Sequence, residues 1–93
     1  MRKVVWTTTA SLEYAKNIEY LISKWSETEA GVFIGKVDSL LADLKSGLIE
    51  CPFTKRGNIH KCVVCKQVSL LYHIDEKDNL VLPGFWNNYQ GNL

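Results

Sequence analysis

The sequence predicts an α+β domain: one strand, then two helices, then three strands (β-α-α-β-β-β), with the helices packed as a hairpin on a mainly antiparallel sheet. Three observations predict it. Apolar residues recur at helical spacing through two consecutive segments, residues 12–25 and 30–44. A capping-box pattern, Ser26 with Glu29 three residues later, separates them. From residue 59 onward, β-branched and aromatic residues come in short runs broken by turn signals.

The elements follow in order. Residues 3–7, built around Val4, Val5 and Trp6, read as a short strand. The run Thr7-Thr8-Thr9 supplies an N-cap for the first helix. Leu12, Ala15, Ile18, Leu21, Ile22 and Trp25 form its apolar stripe, while Glu13, Lys16, Asn17, Glu19 and Lys24 fall mostly outside it. The second helix starts at the Ser26 cap and carries Ala30, Phe33, Ile34, Val37, Leu40, Leu41 and Leu44, with Lys45 in its last turn and Gly47 at its end. So short a connection makes the two helices antiparallel. Neither is stable alone in water, so the hairpin needs a sheet beneath it. Trp6, Trp25 and Phe33 are expected in the core.

Residues 48–58 are irregular and hold Cys51-Pro52, the basic pair Lys55-Arg56 and Gly57-Asn58. Residues 59–66 and 68–75 read as strands, joined tightly at 66–67, with Val68, Leu70, Tyr72 and Ile74 on one face. A charged turn at 76–79 leads to the last strand. It begins at Leu80-Val81-Leu82 and resumes at Phe85-Trp86. Between them Pro83 lacks an N–H for the ladder, which predicts a bulge, an edge or a strand end. The tail, residues 87–93, is polar apart from Tyr89.

At 93 residues the chain makes a single domain, 1–93, and 46% hydrophobic content allows a modest core. Such a domain is marginally stable by itself, so a partner that binds the folded state would stabilise it further. Lys and Arg number 11 against 10 Asp and Glu, and only Arg2 and Arg56 are arginines. That balance excludes a strongly basic nucleic-acid module, whose affinity comes from neutralising phosphates. Three cysteines, Cys51, Cys62 and Cys65, do not suggest a disulfide framework. The first residues hold no long apolar run of a signal peptide, and no stretch has the length of a membrane span. The expectation is a cytoplasmic chain with reduced thiols and no membrane partner. Cys62-Val63-Val64-Cys65 has metal-like spacing, but residues three apart on a strand point to opposite faces and there is no second pair. It reads as two strand cysteines, one of them in the core. No metal and no cofactor are expected.

Particular residues narrow this frame. The start Val4-Val5-Trp6-Thr7 leads into a helix ending Tyr20-Leu21-Ile22-Ser23-Lys24-Trp25-Ser26. A second helix runs from Glu29-Ala30 through Phe33. After Ile59-His60-Lys61 comes Val68-Ser69-Leu70-Leu71-Tyr72-His73-Ile74, and the chain closes with Phe85-Trp86-Asn87-Asn88-Tyr89-Gln90. Over nearly its whole length the chain resembles the RelE/ParE superfamily of toxins from bacterial type II toxin–antitoxin modules. The resemblance implies a RelE/ParE-like fold and a cognate antitoxin whose flexible segment wraps and neutralises the toxin. It also implies one of two targets. RelE-like members cleave messenger RNA in the ribosome, and ParE-like members inhibit DNA gyrase without nuclease chemistry.

Metal-independent RNA cleavage needs a base for the 2′-OH, cations for the phosphate and an acid for the leaving oxygen. By the resemblance, the residues at the matching positions are Lys55 and Arg56 before the strand, His60 and Lys61 on it, and Tyr89 in the tail. His60 and Tyr89 each stand where many family members carry Arg, and each loses a fixed cation with bidentate phosphate geometry. These departures and the near-neutral charge favour the ParE-like reading. A messenger-RNA endoribonuclease is its alternative, and an antitoxin-binding homologue without toxicity is a third. A ParE-like role needs a docking surface, for which Tyr14, Tyr20, Trp86 and Tyr89 are the candidates. His60 reads either as a proton shuttle or as a surface residue on the sheet's open face. His73 is expected to pair across strands. Lys55-Arg56 reads either as a binder of phosphate or of an acidic antitoxin segment, or as a solvated pair.

Overall fold

In the computed structural model, which describes residues 2–90, the chain runs β1 (Val4–Trp6), α1 (Thr8–Lys24), α2 (Glu27–Ser46), β2 (His60–Val63), β3 (Val68–Ile74) and β4 (Leu80–Asn87), then a short 3-10 turn, Asn88–Gln90. The last three residues of the tail lie outside the described residues. The sheet order is β1-β4-β3-β2. The meander β2-β3-β4 is antiparallel, and β1 joins its far side parallel to β4, Val4 opposite Leu80 and Trp6 opposite Leu82.

The caps form as the side chains dictate. Thr7 is the N-cap of α1: its Oγ1 accepts from the Ala10 N–H at 3.0 Å. The same hydroxyl donates to the Leu82 carbonyl at 2.7 Å, so one residue both starts the helix and ties it to β4. Ser26 caps α2 by accepting from the Glu29 N–H at 3.1 Å. Gly47, at φ 77°, closes α2 in the left-handed conformation glycine adopts without strain.

Both helices cover one face of the sheet. Phe33, Val37, Leu41 and Leu44 of α2 share a core with Cys62, Val68, Leu70, Tyr72, Leu80, Leu82 and Phe85. Trp6, Tyr14, Phe33 and Phe85 form an aromatic cluster with ring centroids 5.1 to 6.3 Å apart.

The Pro83 expectation resolves as a bulge. Leu71 pairs with Gly84 but His73 pairs with Val81, so the register shifts across Leu82 and Pro83. Past the bulge the Phe85 N–H turns to α1 and donates to Glu13 Oε1 at 2.9 Å. A Cβ at Gly84 would collide with that carboxylate, so glycine makes room for it.

Four expectations need correction. The 59–66 strand is shorter, His60–Val63, because Val64 and Cys65 already turn back to donate to the Val68 carbonyl. The stripe of α1 is rotated. Its sheet-facing side is Ala10, Tyr14, Ile18 and Leu21, while Leu12 is 59% exposed, and Ile22 and Ala15 are exposed too. The Thr7 anchor and the small Ala10 bring the N-terminal turn down onto β4, and that contact sets the rotation. Of the three expected core aromatics only Phe33 is fully buried. Trp25 ends α1 and is 60% exposed, and Trp6 lies on an edge strand and is partly exposed. Finally, Cys51 and Cys62 are not reduced thiols: they form a disulfide with Cα atoms 5.4 Å apart.

Candidate functional site

A groove of about 370 Å³ opens between the C-terminal half of α1 and the end of the sheet where β3 begins and β4 finishes. Helical spacing places Lys16, Asn17, Tyr20 and Leu21 along one wall. Gln67, Val68, Asn87 and Tyr89 form the other. Leu21 and Val68 are buried and make an apolar floor, whereas Tyr20 and Tyr89 are exposed, Tyr89 at 66%.

Asn88 holds the Tyr89 wall in place. Its N–H donates to the Gln67 carbonyl at 2.8 Å, and its Nδ2 donates to the Cys65 and Lys66 carbonyls, each at 3.1 Å. Its Oδ1 accepts from Ser69 Oγ at 2.7 Å. One amide side chain thus pins the exit of β4 to the β2–β3 turn and satisfies a hydroxyl that is fully buried. The Tyr89 N–H donates to Asn87 Oδ1 at 2.9 Å, so the backbone beneath the ring is held while the ring faces outward. An apolar floor, two phenols and the Lys16 ammonium suit an amphipathic segment carrying a carboxylate.

At the opposite end of β2 lies a second constellation. The chain before β2 returns along its outer edge: Phe53 bridges to His60, the Lys61 N–H donates to the Pro52 carbonyl at 3.0 Å, and the Thr54 N–H donates to the Ile59 carbonyl at 2.7 Å. Cys51 is held at three atoms. Its Sγ bonds Cys62, its N–H donates to Tyr72 Oη at 3.0 Å, and its carbonyl lies 2.6 Å from His60 Nδ1, which therefore carries the proton. The His60 ring stacks on Tyr72 at 4.5 Å and packs against Phe53 at 3.9 Å. Burial raises the Tyr72 phenol above its ordinary range, with Glu50 adding to the rise, while the Cys51 N–H and Arg2 oppose it.

No family model matches the chain, and no curated protein is similar to it in sequence. A solved chain does share its architecture: the chromosomal ParDE TA system from P. aeruginosa superposes with a TM-score of 0.74, across 94% of this chain and 96% of that one, at 8% sequence identity. The fold is RelE/ParE-like.

Within this RelE/ParE-like fold, the expected site residues are distributed as follows. Tyr20 and Tyr89 come together in the groove. Tyr14 faces inward to the aromatic cluster, where burial, then Asp38, raises its phenol. Trp86 lies on the face of the sheet away from the helices, opposite the buried Ser69. Lys55 and Arg56 occupy the exposed turn at the tip of the returning loop. His60 is 5% exposed on the helix-covered face, neither on the open face nor facing solvent. Its neighbour Lys61 points to the opposite face by strand alternation and pairs with Leu71. His73 lies on that open face too, across from Val81. Lys55 and Arg56 precede β2, whereas Tyr89 follows the end of β4 that pairs with Val68, so the basic turn and the tail tyrosine lie at opposite ends of the meander. Among the described residues no group of three His, Cys, Asp or Glu side chains is placed to hold a metal ion. No helix among them is long and apolar enough to cross a membrane.

Sequence reasoning missed the Asn88 clamp and the Cys51 anchor. The signal for the first was a doubled amide, Asn87-Asn88, beside a serine on an apolar strand. For the second it was two cysteines flanking a Gly-containing turn.

Proposed function

We propose that this chain is the toxin component of a type II toxin–antitoxin module, arresting growth by binding DNA gyrase and neutralised by a cognate antitoxin. The observation that carries the proposal is the shared fold: the chain aligns over 94% of its length with a chain of a ParDE TA system. The scatter of the nuclease candidates supports the non-enzymatic branch. His60 Nδ1 is committed to the Cys51 carbonyl on one face, Lys61 lies on the other, and the Lys55-Arg56 turn is remote from Tyr89. A base, a phosphate clamp and an acid that do not converge cannot share one transition state. The groove carrying Tyr20 and Tyr89 is the docking surface, since exposed tyrosines over an apolar floor make strong interface anchors.

The test is induced expression, followed by purified-component assays. Growth arrest together with inhibition of gyrase supercoiling, messages remaining intact, is the expected result. Cuts in messenger RNA at ribosome-occupied codons would replace this reading with the endoribonuclease, and growth without arrest would leave only antitoxin binding. The double variant Tyr20→Ala/Tyr89→Ala should raise the dose needed for arrest by about tenfold or more, the size expected when two interface anchors are removed. Circular dichroism checks that it remains folded.

A further inference from the structure

The 51–62 segment is a closed strap along the outer edge of β2. It begins and ends at the disulfide, runs antiparallel to β2 through the Phe53–His60 bridge, and turns at Lys55-Arg56 with Gly57 at φ 82°. The two sulfurs sit in unequal surroundings. Cys62 is 3% exposed and belongs to the core, whereas Cys51 is partly exposed on the strap. Cys65, the free cysteine among the described residues, lies beyond the end of β2.

We propose that Cys51–Cys62 is a thiol-exchange site, opened by a dithiol that attacks from the Cys51 side, and that its state decides whether the strap stays closed over β2. The chemistry balances as follows. A thiolate of the dithiol attacks Cys51 Sγ, the Cys51–Cys62 bond breaks, and Cys62 leaves as a thiolate. The dithiol's second thiolate then attacks its own sulfur in the mixed disulfide, and Cys51 leaves. The protein disulfide gains two electrons and two protons, and the dithiol is oxidised to a disulfide. The inequality of the sulfurs selects the partner. The departing Cys62 thiolate forms in apolar surroundings that disfavour its charge. A monothiol therefore gives a mixed disulfide that Cys62 reverses, whereas a dithiol completes the second step within one molecule.

Besides the disulfide, four hydrogen bonds hold the strap: Cys51 N–H to Tyr72 Oη, His60 Nδ1 to the Cys51 carbonyl, Lys61 N–H to the Pro52 carbonyl and Thr54 N–H to the Ile59 carbonyl. They lie at the edge of the sheet and are the bonds that local opening breaks first once the tether is gone. None of this depends on the toxin reading, and no readout below uses growth or a target.

The experiment combines thiol counting with hydrogen exchange on the whole chain. In air-oxidised protein, alkylation followed by mass spectrometry should label Cys65 alone. Dithiothreitol should release Cys51 and Cys62 at thiol concentrations where 2-mercaptoethanol leaves most of the bond intact. On reduction, the amides of Thr54 and Lys61 should exchange at least about tenfold faster, since a short closed loop loses its tether, while Leu70 and Leu82 keep their protection. Cys51→Ser should show the fast exchange without reductant and no response to it. If that variant fails to fold, the reduced wild-type chain gives the same reading. Three reactive thiols in the air-oxidised protein, equal opening by the monothiol, or strap exchange unchanged on reduction would each overturn the proposal.

Discussion

The two edges of the sheet are protected in opposite ways. At one edge, β2 is overlaid by its own preceding loop, hydrogen-bonded along the strand and joined to it by a disulfide. At the other, β1 is only three residues long, and among the described residues no strand pairs with its outer side. In its parallel register the Lys3 carbonyl and the Thr7 N–H address β4, so alternation turns the N–H and carbonyl of Val4 and Trp6 away from the sheet. Its security comes from its ends. Arg2 donates from its N–H to the Lys45 carbonyl at 3.3 Å, from Nη1 to the Leu44 carbonyl at 2.9 Å and from Nε to Asp78 at 3.2 Å, and Thr7 ties the other end to Leu82. A long edge invites another chain to pair with it, so proteins cover edges or keep them short. This domain uses one device on each side. Brevity suffices where a strand can be clipped at both ends, and the strap serves where the approach to β2 is an irregular loop.

The contrast can be broken from either side. Opening the strap has the largest expected effect: Cys51→Ser should lower stability by about 2–3 kcal/mol, from the entropy regained when a loop of this size is freed. Denaturant melts with and without reductant check it, and the reductant effect should vanish in the variant. Thr7→Ala removes both a helix cap and the β1–β4 tie, and should cost about 1–2 kcal/mol in the same assay. Tyr72→Phe removes the acceptor for the Cys51 N–H and should cost about 1 kcal/mol at neutral pH. It also has a pH signature. Burial raises the phenol in the fold, so this group's contribution is complete below its unfolded value of about 10 and is lost as pH climbs through the higher folded value. The variant should therefore shed part of the alkaline loss of stability. The smallest effect falls at the β3–β4 turn beside β1. The backbone N–H and side-chain amide of Asn79, with the Lys77 N–H, hold the Asp75 carboxyl below its ordinary range. The sign is opposite to that of Tyr72: the contribution is present above about pH 4 and is lost as pH falls through the lower folded value. Asp75→Ala should flatten the acid limb of the stability curve slightly, and a pH series of thermal melts measures it.

Legibility followed how local the physics was. The caps at Thr7 and Ser26, the Gly47 terminator and the 76–79 turn rest on neighbours within a few residues and appear where the chain predicts them, whereas the tight 66–67 connection is a longer turn, 64–67, and at Pro83 the pairing with β3 selects the bulge from the three outcomes left open. The stripe of α2 was legible because its apolar residues mark one face. In α1 apolar residues surround more of the helix, and the choice of face came from Thr7 reaching Leu82 and Ala10 fitting against β4, contacts more than seventy residues apart in sequence. The disulfide was hidden for a related reason: Cys51 meets Cys62 only once residues 51–54 fold back along β2, and no apolar alternation announces that return. His60 was partly readable. It shares a face with Cys62, so alternation alone puts it with the core, and its pairing with Tyr72 then buries it. At the candidate site, Tyr20 and Tyr89 were both named as possible anchors, and they line one groove. Their meeting depended on Asn88, whose partners are distributed over a turn and a strand that composition does not connect.

The parallel pairing of β1 with β4 has a consequence for how the chain is made. Val4 waits for Leu80, and Arg2 waits for Asp78, 76 residues later. The helical hairpin has the more local contacts, but it is consolidated only as the meander that it packs on follows strand by strand. The first strand is thus the last to find its place, and until then Val4, Val5 and Trp6 stand bare on the growing polypeptide. A synonymous codon change that slows elongation just before residue 80 would lengthen that interval, and a chaperone that binds short apolar β-segments would find its target in the first seven residues.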